Sequence, residues 1–129
     1  MKNKKVLIVS ARYYEDLSNS LEELAASCLK KKYKFKIIKV PGVFEIPVVI
    51  SKNIKKYDAF IALGCVIKGE TPHFDFISQA TTNAIMQLSI DHMKPIGNGI
   101  ITSLNREQAF ERSKKKGSEA ARAVISVLS

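Results

Sequence analysis

Tryptophan is absent from the chain, and cysteine, proline and glycine are sparse: two, four and six among 129 residues. Two lone thiols, Cys28 and Cys65, cannot build the disulfide framework of a small secreted scaffold, and they point to a reducing compartment, the cytoplasm. No linker, repeat or low-complexity tract interrupts the chain, so residues 1–129 are expected to form one domain. That length buries roughly two-thirds of the unfolded surface, enough for an ordinary core. No apolar run approaches the ~18 residues of a membrane span. Met1-Lys2-Asn3-Lys4-Lys5 leads straight into Val6-Leu7-Ile8-Val9, without the apolar stretch and cleavage site of a secretory signal. Two histidines and two scattered cysteines give no metal-ligand spacing. There is no Walker sequence, and Gly97-Asn98-Gly99 precedes the fourth apolar run instead of following the first, which excludes a dinucleotide fingerprint.

Acidic residues are few too, 12 against 21 Lys and Arg, for a net charge of +9. The placement of this charge argues against a nucleic-acid partner. Lys4, Lys5, Lys34, Lys36, Lys55, Lys56 and Lys94 stand at the starts of apolar runs, and Lys30 to Lys32 close a helical pattern. In a parallel α/β layer these positions share the face opposite the ligand-binding edge. No basic stripe with interleaved aromatics appears, so a solvated basic face is expected.

Four apolar runs read as strands: Val6 to Val9, Lys36 to Val40, Ala59 to Gly64, and Gly99 to Thr102. Their unbroken apolar character fits a sheet covered on both faces. Between them, Leu17, Leu21, Leu24 and Cys28 recur at helical spacing, and Phe44 to Ile54 predicts a short helix with Pro47 in its first turn. Ile77, Thr81, Ala84, Ile85 and Leu88 outline a third helix, with Thr71 as its cap and Pro72 at its first position. Asn105 with Gln108 predicts a capping box for the last helix, which Gly117 interrupts before Ala120, Ala121, Val124 and Leu128. The alternation predicts a three-layer α/β/α sandwich around a four-stranded parallel sheet, flavodoxin-like in class. Right-handed crossovers then gather every strand's C-terminal end at one edge, where open sheets bind ligands.

The residues after each strand are therefore the functional inventory. Ala11-Arg12-Tyr13-Tyr14 follows the first strand, and a tyrosine there can either stack on a planar ring or cap the core. Pro41-Gly42-Val43-Phe44-Glu45 follows the second; its turn permits close backbone approach, and Glu45 can accept hydrogen bonds from hydroxyls or simply favour a helix start. Gly64-Cys65-Val66-Ile67-Lys68-Gly69-Glu70-Thr71-Pro72-His73-Phe74-Asp75 follows the third. Amides of Gly69, Glu70 and Thr71 can cradle a phosphate there, although the Glu70 carboxylate opposes an anion unless it points away. His73 can shuttle protons near neutrality or serve as a structural residue at a cap. Arg112, in the last helical region, can complete a phosphate clamp or stand as a surface arginine. Neither the paired acids of a phospho-receiver nor the hydroxyl-rich loop of a flavodoxin follows the first strand. Together the residues suggest acid–base chemistry on a phosphorylated small molecule beside a ring-and-hydroxyl ligand.

PGVFEIP at 41–47, GCVIKGETPHFD at 64–75, NGIIT at 98–102 and the stretch 108–121, in this order, resemble the lumazine synthase family. The resemblance covers nearly the whole chain after the first strand. It implies condensation of 5-amino-6-(D-ribitylamino)uracil with 3,4-dihydroxy-2-butanone 4-phosphate to 6,7-dimethyl-8-ribityllumazine, in riboflavin biosynthesis, with no metal or cofactor. It assigns Tyr13 to stack on the pyrimidine, Val43, Phe44 and Glu45 to the ribityl chain, and Val66 and Ile67 to the pyrimidine pocket through their backbone. Glu70 and Thr71 then meet the phosphate, joined by Arg112 of a neighbouring subunit, and His73 transfers protons. Asn98 departs from the family's common pattern, which places a pocket-closing aromatic there from the adjacent subunit. The stretch between Arg112 and Gly117 is short, so no lysine of 114–116 is assigned to the phosphate. The resemblance further implies a homopentamer with sites between subunits, and riboflavin synthase as a partner. A non-catalytic relative that binds a flavin or lumazine is the alternative.

Overall fold

The structure, a computed structural model, describes residues 4–129. The expectation for Met1 to Asn3, a start without a leader, lies outside these residues. The order is β1 (Lys5–Ala11), α1 (Glu15–Leu29), β2 (Lys34–Val40), a 3₁₀ turn (Val43–Glu45), α2 (Ile46–Lys52), β3 (Ala59–Ile67), α3 (Phe74–His92), β4 (Ile96–Ser103), α4 (Arg106–Ser113) and α5 (Lys116–Leu128). The four strands are parallel, in the order β2-β1-β3-β4. Helices cover both faces, as expected for a flavodoxin-like three-layer sandwich.

Alternation along each strand divides the core. Val6, Ile8, Ile61, Leu63 and Ile101 point towards the face that packs Leu21 of α1 and Val124 of α5. Leu7, Val9, Phe60 and Ala62 point the other way, towards Ile46 and Ile50 of α2 and Ile85 of α3. Because β3 is central, all nine of its residues are buried. The edge strand β2 instead carries exposed Lys34, Lys36 and Lys39, which discourage pairing with another strand. No helix among the described residues is long and apolar enough to cross a membrane.

Several expected boundaries move, each for a packing reason. The strand β3 runs on to Ile67, paired with Ser103, so Cys65 and Val66 belong to it. The chain then turns back through a short Lys68–Thr71 bridge with Gly69 at φ 88°, a backbone state that favours glycine. Consequently α3 cannot start at Pro72; it starts at Phe74, with His73 and not Thr71 in the cap position. Phe44 joins a 3₁₀ turn before α2, and Pro47 sits in the first turn of α2 as expected. In α1 the buried seam is Leu17, Leu21, Ala25 and Leu29, so Leu24 is only half-buried.

The two glycine readings also change. Gly97 and Gly99 lie inside β4, where neighbours leave no room for side chains: a Cβ on Gly97 would collide with the Ala120 carbonyl of α5 and meet Val124 Cγ2 at 2.9 Å, and one on Gly99 would collide with Leu63 and meet the Ala62 carbonyl oxygen of β3 at 2.9 Å. Gly117 does not break a helix. The break falls at Lys114 and Lys115, and Gly117 opens α5 against α1, where a Cβ would lie 3.1 Å from the Leu21 carbonyl carbon. Since that neighbour is backbone, it cannot rotate away. Gly117→Ala is therefore expected to destabilise the fold by about 1–2 kcal/mol, overpacking outweighing alanine's better helix propensity. Chemical denaturation checks this; unchanged stability would mean that α5 can slide off α1.

Candidate functional site

The C-terminal ends of β1, β2 and β3 enclose a cavity of about 180 Å³. Tyr13, Val43, Phe44, Val66, Glu70 and Thr71, all named from the sequence, line it. Its floor is apolar, with Val43 and Val66 buried by the sheet packing that shapes β3 and the 3₁₀ turn. Its mouth is aromatic and open: Tyr13 is 66% and Phe44 61% exposed. The Gly42 N–H donates to Glu45 Oε1 at 2.9 Å, so Glu45 closes the Pro-Gly turn. Ile67 is fully buried against the α1 side of the sheet, which leaves only its main chain available at the strand end.

A second, wider depression of about 540 Å³ wraps the turn after β3 and includes Gly69, Glu70, Thr71 and exposed His73. Glu70 and Thr71 line both hollows. The Glu70 N–H already donates to Ile67 O at 3.2 Å, so an anion must engage Gly69 and Thr71 first or loosen that long bond. Another depression, about 480 Å³, lies between the end of α3 and α5. Its lining is mostly apolar, with Lys94 as the one charged group, and it holds none of the sequence-nominated residues.

Asn98 and Arg112 line neither hollow. Asn98 is exposed on β4 opposite Ala62, four residues or roughly 13 Å back from Thr102. Its Oδ1 accepts the Ile100 N–H at 3.0 Å. Arg112 is exposed in the last turn of α4, and its Nη1 donates to Thr102 O at 2.5 Å, which tethers it near the end of β4. Arg12, beside Tyr13, is not free for a ligand: it clamps Glu22 at 2.7 Å and Asn19 at 2.9 Å. Among the described residues no three His, Cys, Asp or Glu side chains converge as metal ligands.

Sequence reasoning missed a cluster beneath the turn. Tyr14, only 6% exposed, packs edge-on against Tyr13 with ring centroids 4.8 Å apart. Arg106 lies over the Tyr14 ring at 5.1 Å and pairs with Glu70 at 3.6 Å. Both partners of that pair are well exposed, so it contributes little to folding, about 0–1 kcal/mol. The buried Tyr14 hydroxyl has no hydrogen-bond partner, although it faces Thr71 and Glu70. Burial raises its pKa, opposed by Thr71 and reinforced by the Glu70 charge. One signal was available: Arg106 opens α4, an end where the helix dipole disfavours a cation. Cys65, Gly42, Pro72 and Ile77 also line the cavity; in an apolar strand Cys65 gave no such signal.

Fold and site define an open-sheet α/β protein with a candidate ligand cleft at the carboxyl edge of its strands. The family model of 6,7-dimethyl-8-ribityllumazine synthase matches residues 3–129. A protein of that name from Bartonella tribocorum is 43% identical over 135 aligned positions, covering 98% of this chain and 89% of its own. Similar relatives are 6,7-dimethyl-8-ribityllumazine synthase 1 of Rhodopseudomonas palustris, 43% identical over 96% of this chain and 83% of its own, and the Agrobacterium fabrum protein, 41% identical over 99% and 95%. The chain belongs to the 6,7-dimethyl-8-ribityllumazine synthase family.

Burial pushes the Cys65 thiol up to about 12, with the Arg106 charge opposing and Glu70 reinforcing the shift. The unfolded thiol releases its proton from its ordinary value of 9.0, before the folded one does. Stability present below that value is therefore lost as pH rises towards about 12. Thermal melts across this window should fall less steeply for Cys65→Ala than for the parent; parallel slopes would mean that the thiol is solvated.

Proposed function

We propose that this chain condenses 5-amino-6-(D-ribitylamino)uracil with 3,4-dihydroxy-2-butanone 4-phosphate, forming 6,7-dimethyl-8-ribityllumazine and releasing phosphate and water. Family membership supports a biosynthetic role in riboflavin synthesis. The observation that carries the particular reaction is the cavity itself, where an exposed aromatic mouth adjoins a glycine-containing turn suited to a phosphate.

In this reading Tyr13 stacks on the pyrimidine, and the main chain of Val66 and Ile67 meets its polar edge. Val43, Phe44 and Glu45 hold the ribityl chain. Thr71 and Glu70 offer amides to the phosphate, with the Glu70–Ile67 bond giving way as the anion seats. Arg112 and Asn98 reach the same pocket from a neighbouring subunit, which accounts for their absence from the lining of their own chain's cavity. The proposed assembly is a homopentamer of single-domain subunits in the cytoplasm, and riboflavin synthase is the partner that consumes the product.

The chemistry follows from what the site holds together. An amine of the pyrimidine adds to the ketone, and loss of water gives an imine. Phosphate leaves by β-elimination, taking the electron pair of its C–O bond, after a proton departs from the adjacent carbon. The resulting enol takes up a proton at its terminal carbon to become a methyl ketone. The second amine then closes the ring with loss of another water. His73, exposed at the start of α3, can carry these protons through solvent. Holding both substrates in reacting geometry can supply roughly 7–11 kcal/mol of the barrier, more than one proton shuttle supplies.

Two measurements check this. Mixing the protein with both substrates should form the lumazine, followed by absorbance, faster than background, and Arg112→Ala should lose that acceleration. Folded protein without acceleration would leave a ligand-binding role. His73→Ala should keep measurable activity, reduced about 10²–10⁴-fold at most; a folded but inactive variant would put the histidine ahead of positioning.

A further inference from the structure

A phosphate-binding turn that contains a glutamate poses an electrostatic problem. The carboxylate of Glu70 and the phosphate repel each other, and Glu70 lines both hollows that meet at the turn. Its side chain is directed to Arg106, whose Nε lies 3.6 Å from Glu70 Oε2. Arg106 is in turn fixed from below. Its guanidinium lies over the Tyr14 ring at 5.1 Å, and its backbone begins a helix capped by Asn105, which accepts the Gln108 N–H at 2.9 Å. Gln108 reaches back to the Leu104 N–H, also at 2.9 Å, so the helix start is held on both sides.

We propose that Arg106 is the counter-charge that lets the Gly69–Thr71 turn accept a phosphate: it holds the Glu70 carboxylate and cancels its field. The inference rests on reading this turn as the phosphate site. Three observations support it. The cation stands at a helix start, where the dipole opposes it, so its favourable partners must lie outside the helix. The pair is too exposed to be a folding element. Beside the pair, the Tyr14 hydroxyl is buried next to Thr71 and Glu70 and makes no hydrogen bond that would compete with Arg106 for the carboxylate. Arg106 is thus a positioning residue, acting on the phosphate through Glu70.

The test uses the full chain and two readouts: inorganic phosphate affinity by titration calorimetry, and KM for each substrate. Arg106→Gln keeps a stem over Tyr14 but removes the charge. It should weaken phosphate binding and raise the KM for the phosphorylated ketone about tenfold, with less effect at high salt. The KM for the pyrimidine should hardly move. Arg106→Lys should stay close to the parent, and Glu70→Gln should bind phosphate more tightly. The double variant Glu70→Gln/Arg106→Gln should recover most of the loss, because the repulsive charge is gone. A loss that the double variant does not recover would assign Arg106 a purely structural role and overturn the proposal. So would an Arg106→Gln enzyme with unchanged phosphate affinity, which would leave the proposed reaction standing. Parent protein that neither turns over nor binds phosphate would remove the reaction and this inference together.

Discussion

The complete burial of β3 is the constraint from which the rest of the structure follows. Its nine residues are buried: Ala59 to Leu63 pair with β1, Phe60 to Ile67 pair with β4, and helices cover both faces, so only the carboxyl end, at Cys65 and Val66, meets a cavity. A strand so enclosed has one permissible register, because a slip by one residue would exchange its two apolar faces. That register carries Cys65 and Val66 to the floor of the cavity and delivers the turn at Gly69 beside the ends of β1 and β2. The cavity exists because the strand ends late: pairing persists to Ile67, and the chain must then reverse before α3 can begin.

Close packing of α5 imposes the second condition. Gly97 and Gly117 let this helix approach β4 and α1 at distances that side chains would forbid. This approach buries Ala120, Ala121 and Val124 and sets α5 against both α1 and β4. The lysines at the strand starts lie at the opposite edge from the cavity: Lys5 pairs in register with Lys34, while the Val66–Thr102 pair marks the carboxyl end. The net positive charge of the chain is thus a poor guide to its ligand. The charges that matter near the cavity are few and opposed, with Arg106 facing Glu70.

Much of the candidate site was legible in the sequence, because strand-end positions in an alternating α/β chain must share an edge. Tyr13, Val43, Phe44, Val66, Glu70 and Thr71 do meet. Asn98 and Arg112 could be named from their motifs, yet the fold leaves them on the β4 side, outside the lining of their own chain's cavity. The pairing of Tyr14 with Arg106 escaped notice because its significance is relational. Neither residue belongs to a motif, and they meet only when α4 packs beside the start of α1.

The sequence by itself determined the class of the fold and the family, since apolar periodicity and strand-end motifs are local properties of the chain. The lengths of its strands, the starts of its helices and the roles of its glycines were decided by tertiary structure. Where β3 stops depends on its pairing with β4, and why Gly117 is glycine depends on the backbone of Leu21, far earlier in the chain. The orientation of Glu70 was likewise beyond local pattern, because a carboxylate's direction is set by the cation that packing brings to it.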